Sequence, residues 1–438
     1  MKHLRRLLPI LLLAALLLTG CQSTGAEELY SLPRRSDIYL ELQQAIEFAL
    51  DGAAYAAPIS GENQRAIQQA DLDGDGTEEI LVFARADGEK PLRIHILRKA
   101  DQEYTLLCTL EGDGNAFDSA VYAQIDGAPG LELVVSRRLA ELQSVSVYTF
   151  AGGEAAELLS RGCVGYTLTD LNADGLSDVF LLLEDPTRTN GIAEYYRWQD
   201  GTLARDVEAD MSASADSVKR IITGRMTDTT PAVFVASAYD DANIITDVYA
   251  VVNGGLHNVS LSDESGLSTG TVRSYFVYST DIDGDGVIEL PATVELPAMP
   301  DDERSQGQYR IVWYNLNPDG TRSIKCSTFH NYAEGWYLQL PSQWLDTLSV
   351  TTQAPDGSAG TCLLTLRKPG SYAVLLTVCV LTSDELAGED AARQLEAGKL
   401  VLLARRGDNC YCARCGEAFD IDISELQSSF GFITTDIT

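Results

Sequence analysis

Basic charge is what this chain most lacks. Its 438 residues include 32 Lys and Arg against 64 Asp and Glu, a formal net charge of -32. That excludes the basic patch a nucleic-acid-binding surface needs. Apolar residues make up 45% of the chain, so the acidity does not signal disorder. Cysteine is sparse: Cys108, Cys163, Cys326, Cys362, Cys379, Cys410, Cys412 and Cys415 are too few for a disulfide scaffold at this length. Histidine is rarer still, with four residues, and neither His95, His257 nor His330 has a local catalytic partner pattern. Serines are plentiful, but the chain is read as having no GxSxG nucleophile elbow. After the first 20 residues no run is long and apolar enough to span a bilayer.

The N-terminus is a targeting pattern. Lys2, Arg5 and Arg6 precede the apolar run Leu7–Leu18, and Thr19-Gly20-Cys21 comes next. The run is shorter than the ~20 residues of a comfortable span. LLLTGC resembles a bacterial lipobox, which implies that Cys21 becomes the lipid-bearing first residue. The alternative is an ordinary signal peptide in which Cys21 is incidental. Residues 1–21 are thus the signal and lipobox and 22–35 a tether. The expected partner is membrane lipid through Cys21, on the extracytoplasmic face.

Three acidic loops organise the rest of the chain. They are DLDGDGTEE from Asp71, DLNADGLSD from Asp170 and DIDGDGVIE from Asp281. Oxygen side chains stand at loop positions 1, 3, 5 and 9: Asp71, Asp73, Asp75 and Glu79; Asp170, Asn172, Asp174 and Asp178; Asp281, Asp283, Asp285 and Glu289. Gly76, Gly175 and Gly286 sit at position 6, where the chain must turn sharply. The carbonyls of Thr77, Leu176 and Val287 are candidate position-7 ligands. Calcium takes six to eight hard oxygen ligands, and this donor set suits it. Carboxylates so close together repel without a cation. Position 12 is Val82, Leu181 and Ala292, so these are not EF-hands, and strands rather than helices come after them. The bland alternative is a solvated Asp-Gly turn with no ion.

Taking Asp71, Gln124, Asp170, Met226 and Asp281 as equivalent gives spacings of 53, 46, 56 and 55 residues. Each unit offers about four short apolar strands, the pattern of propeller blades. A solenoid or a chain of β-sandwiches is the structural alternative. The units at Gln124 and Thr227 have lost most of their acidic positions yet still introduce LELVV and AVFVA. Before the first loop, DIYLELQQAIEFAL from Asp37 predicts an amphipathic helix.

After Tyr332 the order becomes strands, helix, strands, helix. SYAVLLTVCVL predicts a long strand from Ser371, and Ser383-Asp384-Glu385 a helix start. The fold class expected is therefore mainly β: a propeller body over 36–331 followed by a small α+β domain over 332–438. Cys410, Cys412 and Cys415 leave three readings open, namely incidental thiols, a local disulfide or a metal site.

The acidic loops with their following strands resemble the FG-GAP or VCBS repeats of integrin-alpha-type β-propellers, over about residues 60–330. The resemblance implies calcium in the three loops, where it mostly stiffens blades while ligands bind elsewhere. With the lipobox and C-terminal domain, the whole resembles lipoproteins of Gram-positive, clostridia-like bacteria. The function expected is a surface-anchored, non-enzymatic binding or scaffold lipoprotein with an extracellular protein or glycan as ligand. Beside it stands an envelope carbohydrate-active enzyme using an Asp/Glu pair.

Overall fold

In a computed structural model the acidic loops lead into short antiparallel strands. The structure describes residues 37–100, 103–140, 142–274, 277–353, 361–368 and 370–433. Cys21, the leader and the tether lie outside them. Among the described residues no helix is long and apolar enough to cross a membrane.

The chain divides into two compact units. The first comprises residues up to Ala57, Arg65–Ala70 and Thr77–Gly112; the second comprises Pro58–Gln64, Asp71–Gly76 and everything from Asp113. The first unit holds helix α1 (Asp37–Leu50) and one sheet of β1 (Ala54–Tyr55), β2 (Ile67–Ala70), β3 (Glu79–Arg85), β4 (Leu92–Ala100) and β5 (Glu103–Gly112). β2 to β5 form a meander, and β1 extends the β2 edge of β3. The helical spacing read from the sequence explains its packing: Ile46, Ala49 and Leu50 bury against Ile80, Val82 and Ala84 on alternate positions of β3.

The second unit repeats the meander. Its second sheet is β6 (Ala116–Ala123), β7 (Glu132–Leu139), β8 (Leu142–Thr149) and β9 (Ala156–Cys163). The third is β10 (Gly165–Thr169), β11 (Asp178–Leu183), β12 (Ile192–Gln199) and β13 (Thr202–Asp210). The fourth is β14 (Val218–Thr227), β15 (Thr230–Ala238), β16 (Ile244–Val252) and β17 (Gly255–Asn258). The fifth is β18 (Leu290–Glu295), β19 (Tyr309–Leu316), β20 (Arg322–Asn331) and β21 (Trp336–Gln339).

The stacking of the sheets explains why these strands are apolar on both faces. In β11, Val179, Leu181 and Leu183 pack on Val134, Val145 and Val147 of the second sheet. The alternate residues Phe180 and Leu182 pack on Val233, Val235 and Tyr249 of the fourth. In β15 the same alternation turns Phe234 and Ala232 toward Leu290, Tyr314 and Leu316 of the fifth. Each buried Val, Leu or Phe contributes on the order of 1.5–3 kcal/mol, so a strand with both faces covered is the main source of cohesion. This mainly β, blade-like repetition is the expected fold class.

The sixth sheet contains β22 (Leu348–Gln353), β23 (Thr361–Lys368), β24 (Ser371–Thr382), β25 (Leu400–Arg406) and β26 (Asn409–Cys415), in the order β22-β23-β24-β26-β25. Helices α2 (Ser383–Ala387), α3 (Glu389–Glu396) and α4 (Ile423–Ser429) accompany it. Thr382 and Glu385 form a capping box at the start of α2. The single helix expected after Ser383 is split because Gly388 is extended, at φ -63° and ψ 150°. The last strand, β27 (Phe430–Phe432), pairs with β21 and completes the edge of the fifth sheet.

At the end of the fourth unit the described residues 272–274 and 277–279 belong to no strand, and Arg273 makes only an isolated bridge to Ile244. The Arg273 guanidinium explains this: it turns inward to bond Val277 O, Thr271 O and Thr246 Oγ1, which holds the local chain irregular. All eight described cysteines are free thiols, with Cys412 opposite Cys379 across β24 and β26. Burial pushes the Cys412 thiol up to about 12, so it behaves as core rather than as a nucleophile.

Candidate functional site

Each acidic loop is wound around its first carboxylate. Asp71 accepts the amides of Gly74 and Gly76 at 2.8 and 3.0 Å. Asp170 accepts those of Asp174 and Gly175 at 3.1 and 2.9 Å. Asp281 accepts those of Gly284, Asp285 and Gly286 at 2.7, 3.1 and 2.8 Å. Gly74 is obligatory for a second reason: at φ +74° its Cβ would lie 2.4 Å from Pro129. The unit boundary cuts the first loop, with Asp71, Asp73 and Asp75 in the second unit and Thr77 and Glu79 in the first.

The third loop brings three predicted ligands together. Oxygens of Asp281, Asp283 and Asp285 lie within 4.8 Å of one another and could hold a metal ion. The donors are all hard oxygens, which fits a hard divalent cation. Lys325 on β20 also reaches them, with Nζ 3.0 Å from Asp283 and 2.5 Å from Asp285. Its hydrogen bond holds the Asp285 carboxyl below the ordinary carboxylate range. In the second loop, Asp170, Asp174 and Asp178 do not form such a triad among the described residues. There Asn172 donates its amide to Asp174 at 2.8 Å, doing internally part of what a cation would do.

Position 9 has a role the sequence did not disclose. Asp178 accepts the Leu171 amide at 3.0 Å and the Tyr195 hydroxyl at 2.8 Å. Glu289 accepts the Ile282 amide at 3.1 Å and the Asn315 amide group at 2.7 Å. Glu132, in the degenerate second unit, accepts the Ile125 amide at 2.7 Å and the Thr149 hydroxyl at 3.2 Å. In each case one buried carboxylate, at the entry to one strand, staples the loop to the next strand of its sheet. Burial raises Asp178 to about 6 and raises Glu289 and Glu132 above their ordinary range. The position-7 residues Leu176 and Val287 give their amides to Asp174 and Asp285, and Thr77 follows Gly76 in the first loop.

A recess lies elsewhere, beside the third sheet. Arg188, Asn190, Gly191, Asp210, Met211 and Gly266 line a pocket of about 460 Å³. Arg188, in the turn between β11 and β12, meets Asp185 at 2.9 Å, Glu208 at 3.0 Å and Asp210 at 2.5 Å. Glu208 and Asp210 are two residues apart on β13, so the strand presents both to one side. Gly191 is needed here, because a Cβ would lie 2.7 Å from Met211 Sδ and 2.8 Å from Ala215. No spacing in the sequence singles out Arg188: its three partners come from two different segments.

Gly266-Leu267-Ser268-Thr269-Gly270 does match a GxSxG pattern, but Ser268 is fully buried. Its hydroxyl bonds Asp247 at 2.6 Å and shares a contact with Ser260, and no histidine joins that network among the described residues. It is structural. The tryptophans are core as well, with Trp313, Trp336 and Trp344 at most 1% exposed.

No known protein family and no curated protein sequence matches the chain. Among solved structures it is similar to a rhamnogalacturonan lyase of Bacillus licheniformis, at 12% identity and TM-score 0.30, over 70% of this chain and 60% of that one. It is similar to an exo-β-1,3-galactanase of Phanerochaete chrysosporium solved with galactose, at 9% identity and TM-score 0.22, over 75% and 79%. TolB of Acinetobacter baumannii matches at 12% identity and TM-score 0.25, over 68% and 60%. The chain thus spans about three fifths of the length of the lyase and of TolB. No residue role transfers from them. Against the expectation of a non-enzymatic binding or scaffold protein, two of these solved structures are named as enzymes, a lyase and a galactanase. A rigid bladed body serves catalysis as readily as scaffolding, which is why the fold-level expectation misled.

Proposed function

We propose that the chain is a calcium-clipped propeller protein of FG-GAP/VCBS type that acts on a carbohydrate at the Arg188 pocket. The observation that supports it most is that Arg188 and Asp210 line a recess of about 460 Å³ while the Arg188 guanidinium also meets Asp185 and Glu208. A pocket of that size accommodates a small-molecule-sized portion of a substrate. Arg188 and Asn190 would orient hydroxyl or carboxyl groups of a sugar, and Glu208 and Asp210 would exchange protons with it as the acid–base pair. Calcium in the third loop would be held by Asp281, Asp283 and Asp285. It supplies charge neutralisation that stiffens the loops and takes no part in a step. A lipid on Cys21 would hold the chain outside the cell membrane, where glycans are accessible.

The test is product release from a panel of rhamnogalacturonan, galactan and other polysaccharides. Reducing ends report hydrolysis, and the ultraviolet absorbance of an unsaturated sugar reports elimination. Activity lost in Arg188→Ala and in the Glu208→Gln, Asp210→Asn double variant is the expected result. No product from any polysaccharide, or full activity in those variants, overturns the reading. Loss of lipid labelling in Cys21→Ala checks the anchor separately.

A further inference from the structure

A second recess, on the fifth sheet, has a chemistry unlike that of the Arg188 pocket. Thr293, Gln308, Tyr309, Phe329, His330 and Tyr332 line most of a pocket of about 100 Å³. None of its lining residues carries a formal charge at neutral pH. His330 is central to it. The ring stacks on Tyr337, with centroids 5.3 Å apart at 26°, and stands 5.6 Å from the Tyr332 ring and 6.1 Å from that of Trp313. Neither Nδ1 nor Nε2 has a hydrogen-bond partner, and both are shut off from water. Burial pushes the imidazole down to about 4, so it is neutral at ordinary pH.

A neutral imidazole has one N–H to donate and one nitrogen to accept. Leaving both unmatched carries a desolvation cost at each buried nitrogen. The register explains the placement: His330 lies opposite Tyr337, while its neighbour Phe329 lies opposite Leu338 and enters the core shared with the sixth sheet. Tyr332 is 53% exposed, and its ring stands between solvent-exposed surface and the imidazole's neighbourhood, 5.6 Å from it.

We infer that this pocket is a subsite for one neutral, hydroxylated ring, a single uncharged sugar unit whose C–H face stacks on Tyr332 and Tyr309 and whose hydroxyls satisfy both nitrogens of His330. The uncharged lining disfavours sulfated, phosphorylated or carboxylated ligands, since a charge would be desolvated without a partner. The volume suits one edge of a pyranose and no oligosaccharide. Aromatic faces with a few convergent polar atoms are how such ligands are oriented. The inference rests on no part of the Arg188 reading, and it concerns binding rather than turnover.

The experiment uses the full chain with ¹⁵N-labelled histidine rings, titrated with methyl glycosides of glucose, galactose and rhamnose and, for contrast, with glucuronate. Displacement of the His330 ring-nitrogen resonances by at least one neutral glycoside and not by glucuronate is expected. Tyr332→Ala should weaken that binding about tenfold, and His330→Phe should abolish it. No displacement by any neutral glycoside overturns the inference. So does binding of unchanged strength in Tyr332→Ala, an exposed substitution that leaves the fold intact even where His330→Phe does not. Product release fails independently of these resonances, so the two readings can fall separately.

Discussion

The third and fifth sheets are entered by loops of one layout and solve the same electrostatic problem differently. The third keeps charge inside. Glu194 is fully buried on β12; burial alone would raise its carboxyl, but hydrogen bonds from Arg161, Tyr196 and Arg205 outweigh it and hold it below the ordinary range. The fifth sets Lys325 against its loop carboxylates Asp283 and Asp285 and places neutral His330 beside Trp313. The nine-residue loop pattern therefore fixes how a strand is entered. Side chains on later strands decide how much negative charge is left for a cation.

The largest expected effect separates the staple from the cation site. Asp178→Ala orphans the buried Leu171 amide and Tyr195 hydroxyl and should cost about 3–4 kcal/mol of stability in urea unfolding. A loss no greater than that of an exposed Asp→Ala change would remove the staple from the comparison.

The next concerns pH and belongs to the fifth sheet. Burial lowers His330 from 6.5 to about 4, so the folded state binds fewer protons than the unfolded one there. Its contribution is complete above 6.5 and is lost as pH falls from 6.5 toward 4. That loss amounts to about 3 kcal/mol. His330→Phe should flatten the acid limb of stability over this window, and an unchanged limb would assign the acid sensitivity elsewhere.

Calcium comes third. At a hundredfold excess over its dissociation constant it should stabilise the fold by about 2.7 kcal/mol relative to chelator. Asp281→Ala should take away the part due to the third loop. The same unfolding midpoint in calcium and in chelator would return these loops to plain Asp-Gly turns.

The smallest effect is also the most discriminating. Lys325→Met frees Asp283 and Asp285 and should raise the calcium affinity of the third loop about fivefold, as read by titration calorimetry. Asn172→Asp should do the same for the second loop. If only one responds, the two sheets differ in more than their resident counter-charge.

Much of this was readable from the chain because local chemistry dictates it. The Asp, Gly and strand positions of the loops, the hairpin order of the strands and the apolar stripe of α1 all follow from short-range pattern. The position-9 staple was half visible: Asp178 and Glu289 stood out, but their partners Tyr195 and Asn315 lie on the next strand. Lys325 lies 40 residues from Asp285, and nothing in Ser323-Ile324-Lys325-Cys326 marks it as their neighbour; only the sheet register does. The Arg188 pocket and the His330 recess are likewise products of strand pairing. Ser268 shows the converse, a familiar spacing emptied of chemistry by burial.

The final strand has a consequence for how the molecule ages and is handled. β27 covers the outer edge of β21, where Trp336 and Leu338 stand in a short apolar strand. A protease cut before Phe430 would bare a row of unpaired backbone groups beside an aromatic cluster, a template for adding a strand from another molecule. Trimmed chains should therefore self-associate before they lose their secondary structure, and Phe430–Phe432 act as a seal against that fate.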